Sequence, residues 1–150
     1  MRAWGFDESS LASGANPIAP AEAAMVPLAL LASSSTLRGR DVIYFIDNTV
    51  SLFAMVKGVS NQAAVARATQ LAHFICFFNN CRVWFEFVGS SSNWADSVSR
   101  KLAECPFCAA NSIPLRSFSL PPEWWLSPIA DLYSSLAEEH GIQVGTTLGV

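Results

Sequence analysis

Three acidic residues stand where an unused charge would be expensive. Glu22 lies in an otherwise apolar helical segment, Ala21-Glu22-Ala23-Ala24-Met25, and Asp47 directly follows five consecutive β-formers. Asp96 lies one turn into a helix that opens after a second strand-like run. Converging carboxylates repel one another, and a hard divalent cation relieves that repulsion. Mg²⁺, or Mn²⁺ in its place, takes oxygen ligands and keeps positions open for water and phosphate. Two such ions about 4 Å apart support in-line phosphodiester hydrolysis. Each acid also has a plain structural reading: Asp47 as a helix N-cap, Asp96 and Glu22 as acids that favour a helix dipole. Arg40, Asn48, Lys57, Asn93 and Arg100 are the candidate contacts to a nucleic-acid backbone, with Arg38 and Lys101 beside them.

The elements that must position these groups read as an α/β pattern. Pro20 followed by an Ala-rich run carrying Glu22 opens a helix that continues to about Ser33, with Pro27 inside it. Val42-Ile43-Tyr44-Phe45-Ile46 has no polar alternation, which predicts a strand covered on both faces. Asp47-Asn48 ends it and caps a helix over Thr49–Lys57, stopped by Gly58. A second helix from about Ser60 places Ala64, Ala68, Leu71, Ile75 and Phe78 on one stripe and ends at Asn79-Asn80. Residues 82–88 are the second strand, with Val83, Phe85 and Phe87 on one face and Trp84, Glu86 and Val88 on the other. The aromatic residues there read as core rather than as a base-stacking platform. After the loop Gly89-Ser90-Ser91-Ser92, Asn93 caps a helix over 94–104. Strand, helical crossover and strand form a βαβ unit, so the two strands are expected to be parallel. Their C-terminal ends then share an edge, which carries Asp47 and the turn leading to Asp96, and such edges bind ligands.

The whole chain has 150 residues, 51% hydrophobic and 14% charged, with a formal net charge of −3. This suits one domain with a real core and excludes a disordered chain. The mild acidity gives no general attraction to nucleic acid or to anionic lipid, so a nucleic-acid substrate would be held by local patches or by metal ions. Neither long apolar stretch, 23–32 or 71–78, approaches the ~20 residues of a membrane span. With no secretory signal at the start and only four cysteines, the expectation is a soluble intracellular protein with reduced thiols and no membrane partner. Residues 1–20 read as a loose N-terminal segment, 21–104 as the core, and 105–150 as a partly helical extension with a short helix over Ile129–Glu139 and a frayed tail.

Val42-Ile43-Tyr44-Phe45-Ile46-Asp47-Asn48, followed by a helix and Lys57-Gly58, resembles the third-carboxylate strand of the ribonuclease H fold. The run Trp84 to Arg100, with Val88, a small polar loop, Asn93-Trp94-Ala95-Asp96 and Ser99-Arg100, resembles that fold's last strand and final carboxylate helix as found in reverse-transcribing retroelements. The helix from Ile18 to Leu30 is similar to the one that carries the second carboxylate. The resemblance covers about residues 16–100 and implies a partial ribonuclease H-like α/β fold with a central βαβ unit. It implies Glu22, Asp47 and Asp96 as metal ligands and catalytic residues, Mg²⁺ as cofactor, and an RNA–DNA hybrid as substrate, its RNA strand being hydrolysed. A reverse transcriptase domain in a longer parent chain is the implied partner. The family's aspartate on the first strand has no counterpart. Asp7 stands too close to Glu22 for two intervening strands of about 5–6 residues each with their turns. The chain is therefore expected to be N-terminally truncated, with Trp4-Gly5-Phe6 left from the second strand and activity impaired. The competing expectation is a catalytically dead nucleic-acid-binding or structural module.

Two further patterns carry chemistry of other kinds. Cys105-Pro106-Phe107-Cys108 has the spacing of a thiol redox motif, but it follows a helix late in the chain instead of opening one after an early strand. A zinc site would need Cys76, Cys81 and His73 to supply a second ligand pair, and their spacing across a helix end suits this poorly. Trp124-Trp125 reads as a docking or linker segment, and His140 near the tail has no evident partner in the sequence.

Overall fold

The computed structural model describes residues 18–101, 105–114, 127–139 and 141, with backbone alone for 97 and 99–101. The expectations for Trp4-Gly5-Phe6, Asp7, Trp124-Trp125, His140 and the tail beyond Gly141 lie outside these residues, as do those for the side chains of Arg100 and Lys101. Helix α1 spans Ile18–Ala32 and a one-turn α2 spans Ser34–Leu37. Strand β1 (Asp41–Ile46), α3 (Thr49–Lys57), α4 (Ala63–Phe78) and β2 (Arg82–Phe87) follow, then a 3₁₀ turn over Ser90–Ser92. Helices α5 (Trp94–Lys101), α6 (Pro106–Ala110) and α7 (Ile129–Glu139) complete the order.

The architecture is mixed α/β. β1 and β2 pair in parallel from Asp41↔Arg82 to Ile46↔Phe87, with α3 and α4 as the crossover between them. The local chemistry of the crossover follows the sequence closely. Asn48 Oδ1 accepts from the Ser51 N–H at 3.0 Å, which caps α3. Gly58 closes α3 in the left-handed region at φ 73°, its N–H on the Ala54 carbonyl. A side chain there is strained even though a Cβ would meet nothing nearer than His73 Nε2 at 4.0 Å. Gly58→Ala is accordingly expected to cost about 1 kcal/mol in chemical denaturation. Gly89→Ala, at φ −64° with open space around it, should be close to neutral.

α1 packs chiefly along α4. Ala23, Val26 and Leu30 of α1 meet Val65, Ala68, Ala72 and Ile75 of α4, with Met55 of α3 and Ile46 of β1 closing the core. Alanine on both helices lets the two backbones approach, and the strong helix formers of α1 carry it through Pro27, which cannot donate to the Ala23 carbonyl. The buried side of α4 is broader than the expected stripe: Val65, Ala72 and Cys76 are buried too, and Ala64 is only half-buried. The width reflects a second contact. α7 docks Leu136 and Ala137 on Phe78, and Tyr133 meets Phe74 edge-on and Phe78 at a tilt, at 5.1 and 5.3 Å between ring centroids. Arg67 Nη2 reaches the Ser127 carbonyl beside this contact.

The expectation that β1 is covered on both faces is corrected. Tyr44, Val83 and Phe85 pack inward on the helices, whereas Ile43 is 64% exposed and Phe45 57%. Trp84 and Phe87, read from the sequence as core, are exposed as well. One helical layer covers one face of a two-stranded sheet; on the other face Ile43 and Phe45 remain exposed and line an open cavity with Asn93, Trp94 and Ala95.

Candidate functional site

The parallel register puts the C-terminal ends of both strands on one edge, closed by the Val88 N–H on the Ile46 carbonyl at 3.1 Å. Asp47 leaves β1 at this edge. Asn93 donates Nδ2 to Asp47 Oδ2 at 2.8 Å, while its Oδ1 accepts from the Ala95 N–H at 3.1 Å. Glu22 approaches from α1, held in place in part by the buried Ser51 hydroxyl on the Ala19 carbonyl at 3.2 Å. Burial raises the Glu22 pKa and the charge of Asp47 raises it further, while a hydrogen bond from the Asn48 side chain opposes both. Glu22 Oε2 is buried with no hydrogen-bond partner.

The two asparagines share one arrangement. Each gives its amide oxygen to the first turn of a helix, Asn48 to α3 and Asn93 to α5. The oxygen is thus occupied, and the NH₂ group of each is left to face a carboxylate, Glu22 or Asp47. The sequence signals Asn48 and Asn93 as caps, but not this second use, nor the part of Ser51 in setting α1 against α3.

The structure brings together Glu22, Asp47, Asn48 and Asn93. Asp96 stands in the first turn of α5, its N–H on the Asn93 carbonyl at 3.1 Å. Among the described residues no three His, Cys, Asp or Glu side chains converge as a metal-ligand group. Arg40 lies at the opposite end of the sheet, its carbonyl accepting from the Arg82 N–H, roughly 20 Å of strand away from Asp47. Lys57 ends α3 and sits over the Phe53 ring at 5.7 Å. His73 donates Nε2 to the Met55 carbonyl at 2.9 Å, which makes it a structural residue.

The Glu22–Asp47 pair suits one hard cation: burial and the Asp47 charge both raise the cost of ionising Glu22, and Glu22 Oε2 has no protein donor. Mg²⁺ binds through one or two carboxylates and retains water. The pair does not suit two ions, which need bridging oxygens from further carboxylates.

All four cysteines are buried free thiols. Burial, with Cys81 alongside, pushes the Cys76 thiol up to about 12, and burial with Cys105 alongside raises Cys108. Protonated, buried thiols are poor nucleophiles. Ellman's reagent is expected to label the native protein only on the timescale of its opening, and all four thiols after denaturation. Rapid stoichiometric labelling of Cys105 or Cys108 in the native state would contradict this.

Comparison of the chain with models of protein families, with curated proteins and with solved structures finds no match. Among the described residues no helix is long and apolar enough to cross a membrane.

Proposed function

We propose that the chain is a ribonuclease H-like nuclease domain of a retroelement reverse transcriptase polyprotein, with its hydrolysis of RNA in RNA–DNA hybrids impaired. The observation that carries this reading is the parallel βαβ edge where Glu22 and Asp47 meet, each faced by an asparagine amide. Glu22 and Asp47 would hold one Mg²⁺ or Mn²⁺. The bound ion would polarise a phosphate and lower the pKa of a water. Asn93 fixes the Asp47 carboxylate, and the Asn48 hydrogen bond offsets part of the rise in the Glu22 pKa that burial causes. Lys57 and Arg100 would extend the contact to the nucleic-acid backbone. Impairment follows from ligand count: two carboxylates do not clamp the attacking and leaving oxygens together.

A second reading, a catalytically dead nucleic-acid-binding or structural module, is favoured by the lack of a third converging ligand among the described residues. The test is cleavage of a labelled RNA–DNA hybrid by the full chain with Mg²⁺ or Mn²⁺, with Asp47→Asn as control. Slow cleavage lost in Asp47→Asn supports the impaired nuclease. Hybrid binding with no cleavage supports the dead module. Robust cleavage lost in Asp47→Asn would contradict impairment, and neither binding nor cleavage would remove the nuclease and the nucleic-acid-binding module and leave a structural one.

A further inference from the structure

Among the described residues the outward face of the sheet is exposed at Ile43, Phe45 and Trp84, and its charge pattern fits a copy of itself. Along β2 the outward residues are Arg82, Trp84 and Glu86, a cation and an anion placed symmetrically about a tryptophan that is 67% exposed. Ile43 and Phe45 of β1 pair with Trp84 and Glu86 in register and widen the apolar centre. Trp84 is held rather than loose: its Nε1 donates to Glu86 Oε2 at 3.0 Å, and Glu86 Oε1 accepts from the Phe87 N–H at 3.0 Å. Arg82 is bound by Asp41 at 2.6 and 3.0 Å, a fork whose side chains are 86% and 71% exposed. An exposed pair of this kind contributes little and can accept a further partner.

Two sheets that pack face to face keep their strands nearly aligned, about 10 Å apart. A two-fold axis across the strands at Trp84 lays β2 antiparallel over β2 of a second copy. Arg82 of each copy then lies over Glu86 of the other, and the tryptophans meet at the centre. Such a contact is isologous, and both ion pairs form from one operation. The pattern does not suit nucleic acid: among the described residues of this face Arg82 is the one cation, and Asp41 and Glu86 would both repel phosphate.

We infer that the outer face of the β1–β2 sheet is a homodimer interface, centred on Trp84 and set in register by Arg82 against Glu86 of a second copy. A six-residue sheet face is smaller than the roughly 800 Å² per partner of a standard interface, so the dimer belongs to the weak class.

Sedimentation equilibrium of the full chain from about 1 µM to about 1 mM tests this, a span that brackets weak association. The wild type is expected to dimerise reversibly within that range. Arg82→Glu and Glu86→Arg should each weaken self-association about tenfold or more, because like charges then face one another twice. An equimolar mixture of the two variants should recover a heterodimer of wild-type affinity, which also shows that both variants are folded. A monomer throughout the range would overturn the inference. Self-association unchanged by either swap, or swaps whose mixture stays monomeric, would overturn it as well.

Discussion

Leu30→Ala is expected to destabilise the protein by about 3 kcal/mol, within the 2–5 kcal/mol range of buried leucine truncations. Leu30 is 1% exposed and sits where α1 meets α4, the most extensive helix contact among the described residues. Its neighbours Val26, Ala68, Ala72 and Ile75 are small or β-branched and belong to helices fixed along their length, so the cavity collapses only in part. Against the 5–15 kcal/mol of a typical domain this is a large share. Phe53→Ala, at a side chain 58% exposed, should change stability by less than about 1 kcal/mol. Urea denaturation of the two variants separates a core built between α1 and α4 from one that includes the outer side of α3. Equal losses would contradict the packing described.

Glu22→Gln is expected to raise stability at neutral pH, and the sign follows from linkage. The folded-state pKa of Glu22 lies above its ordinary value because of burial first and the Asp47 charge second. An acid raised on folding favours the folded state while protonated, and that contribution is lost as pH rises through the folded pKa. Below about pH 4 the carboxyl is protonated folded and unfolded, and wild type and variant should have equal stability. The gap should open as pH rises above the unfolded value. Mg²⁺ should reverse the order: at ten times the dissociation constant a cation adds about 1.4 kcal/mol to the wild type and nothing to a variant without the site. Thermal unfolding across pH, with and without Mg²⁺, measures both effects. A variant less stable than wild type at pH 7 would show that the Glu22 carboxylate is satisfied rather than strained.

Much of the crossover was legible in the sequence because its signals are local. Asn48 before Thr49 and Gly58 after Lys57 bound α3, and the β-formers of 42–46 mark β1 to within one residue. The start of α4 is misplaced: Ser60 is irregular, the chain bends at Asn61 and Gln62, and the helix begins at Ala63. The covering of β1 was not legible. A run such as Val-Ile-Tyr-Phe-Ile reads the same whether one face or both are buried, and only the packing shows Ile43 and Phe45 exposed. The same holds at the edge. Glu22 and Asp47 were legible as costly acids, and strand direction follows from the βαβ pattern. Their meeting depends on how α1 lies across the sheet, which the buried Ser51 hydroxyl helps to set across 32 residues of chain. Asp96 was placed on the correct helix, but helix register alone does not fix whether its carboxylate joins the other two.

The central claim is that Glu22 and Asp47 form a cation site at the C-terminal edge of the parallel strands. Calorimetric titration of the full chain with Mg²⁺ tests it most directly, with Asp47→Asn, Glu22→Gln and the exposed acid variant Asp131→Asn in parallel. The account predicts one weak site in the wild type and in Asp131→Asn, absent in both Asp47→Asn and Glu22→Gln. Binding that survives Asp47→Asn and Glu22→Gln unchanged, or no binding in the wild type, would contradict it.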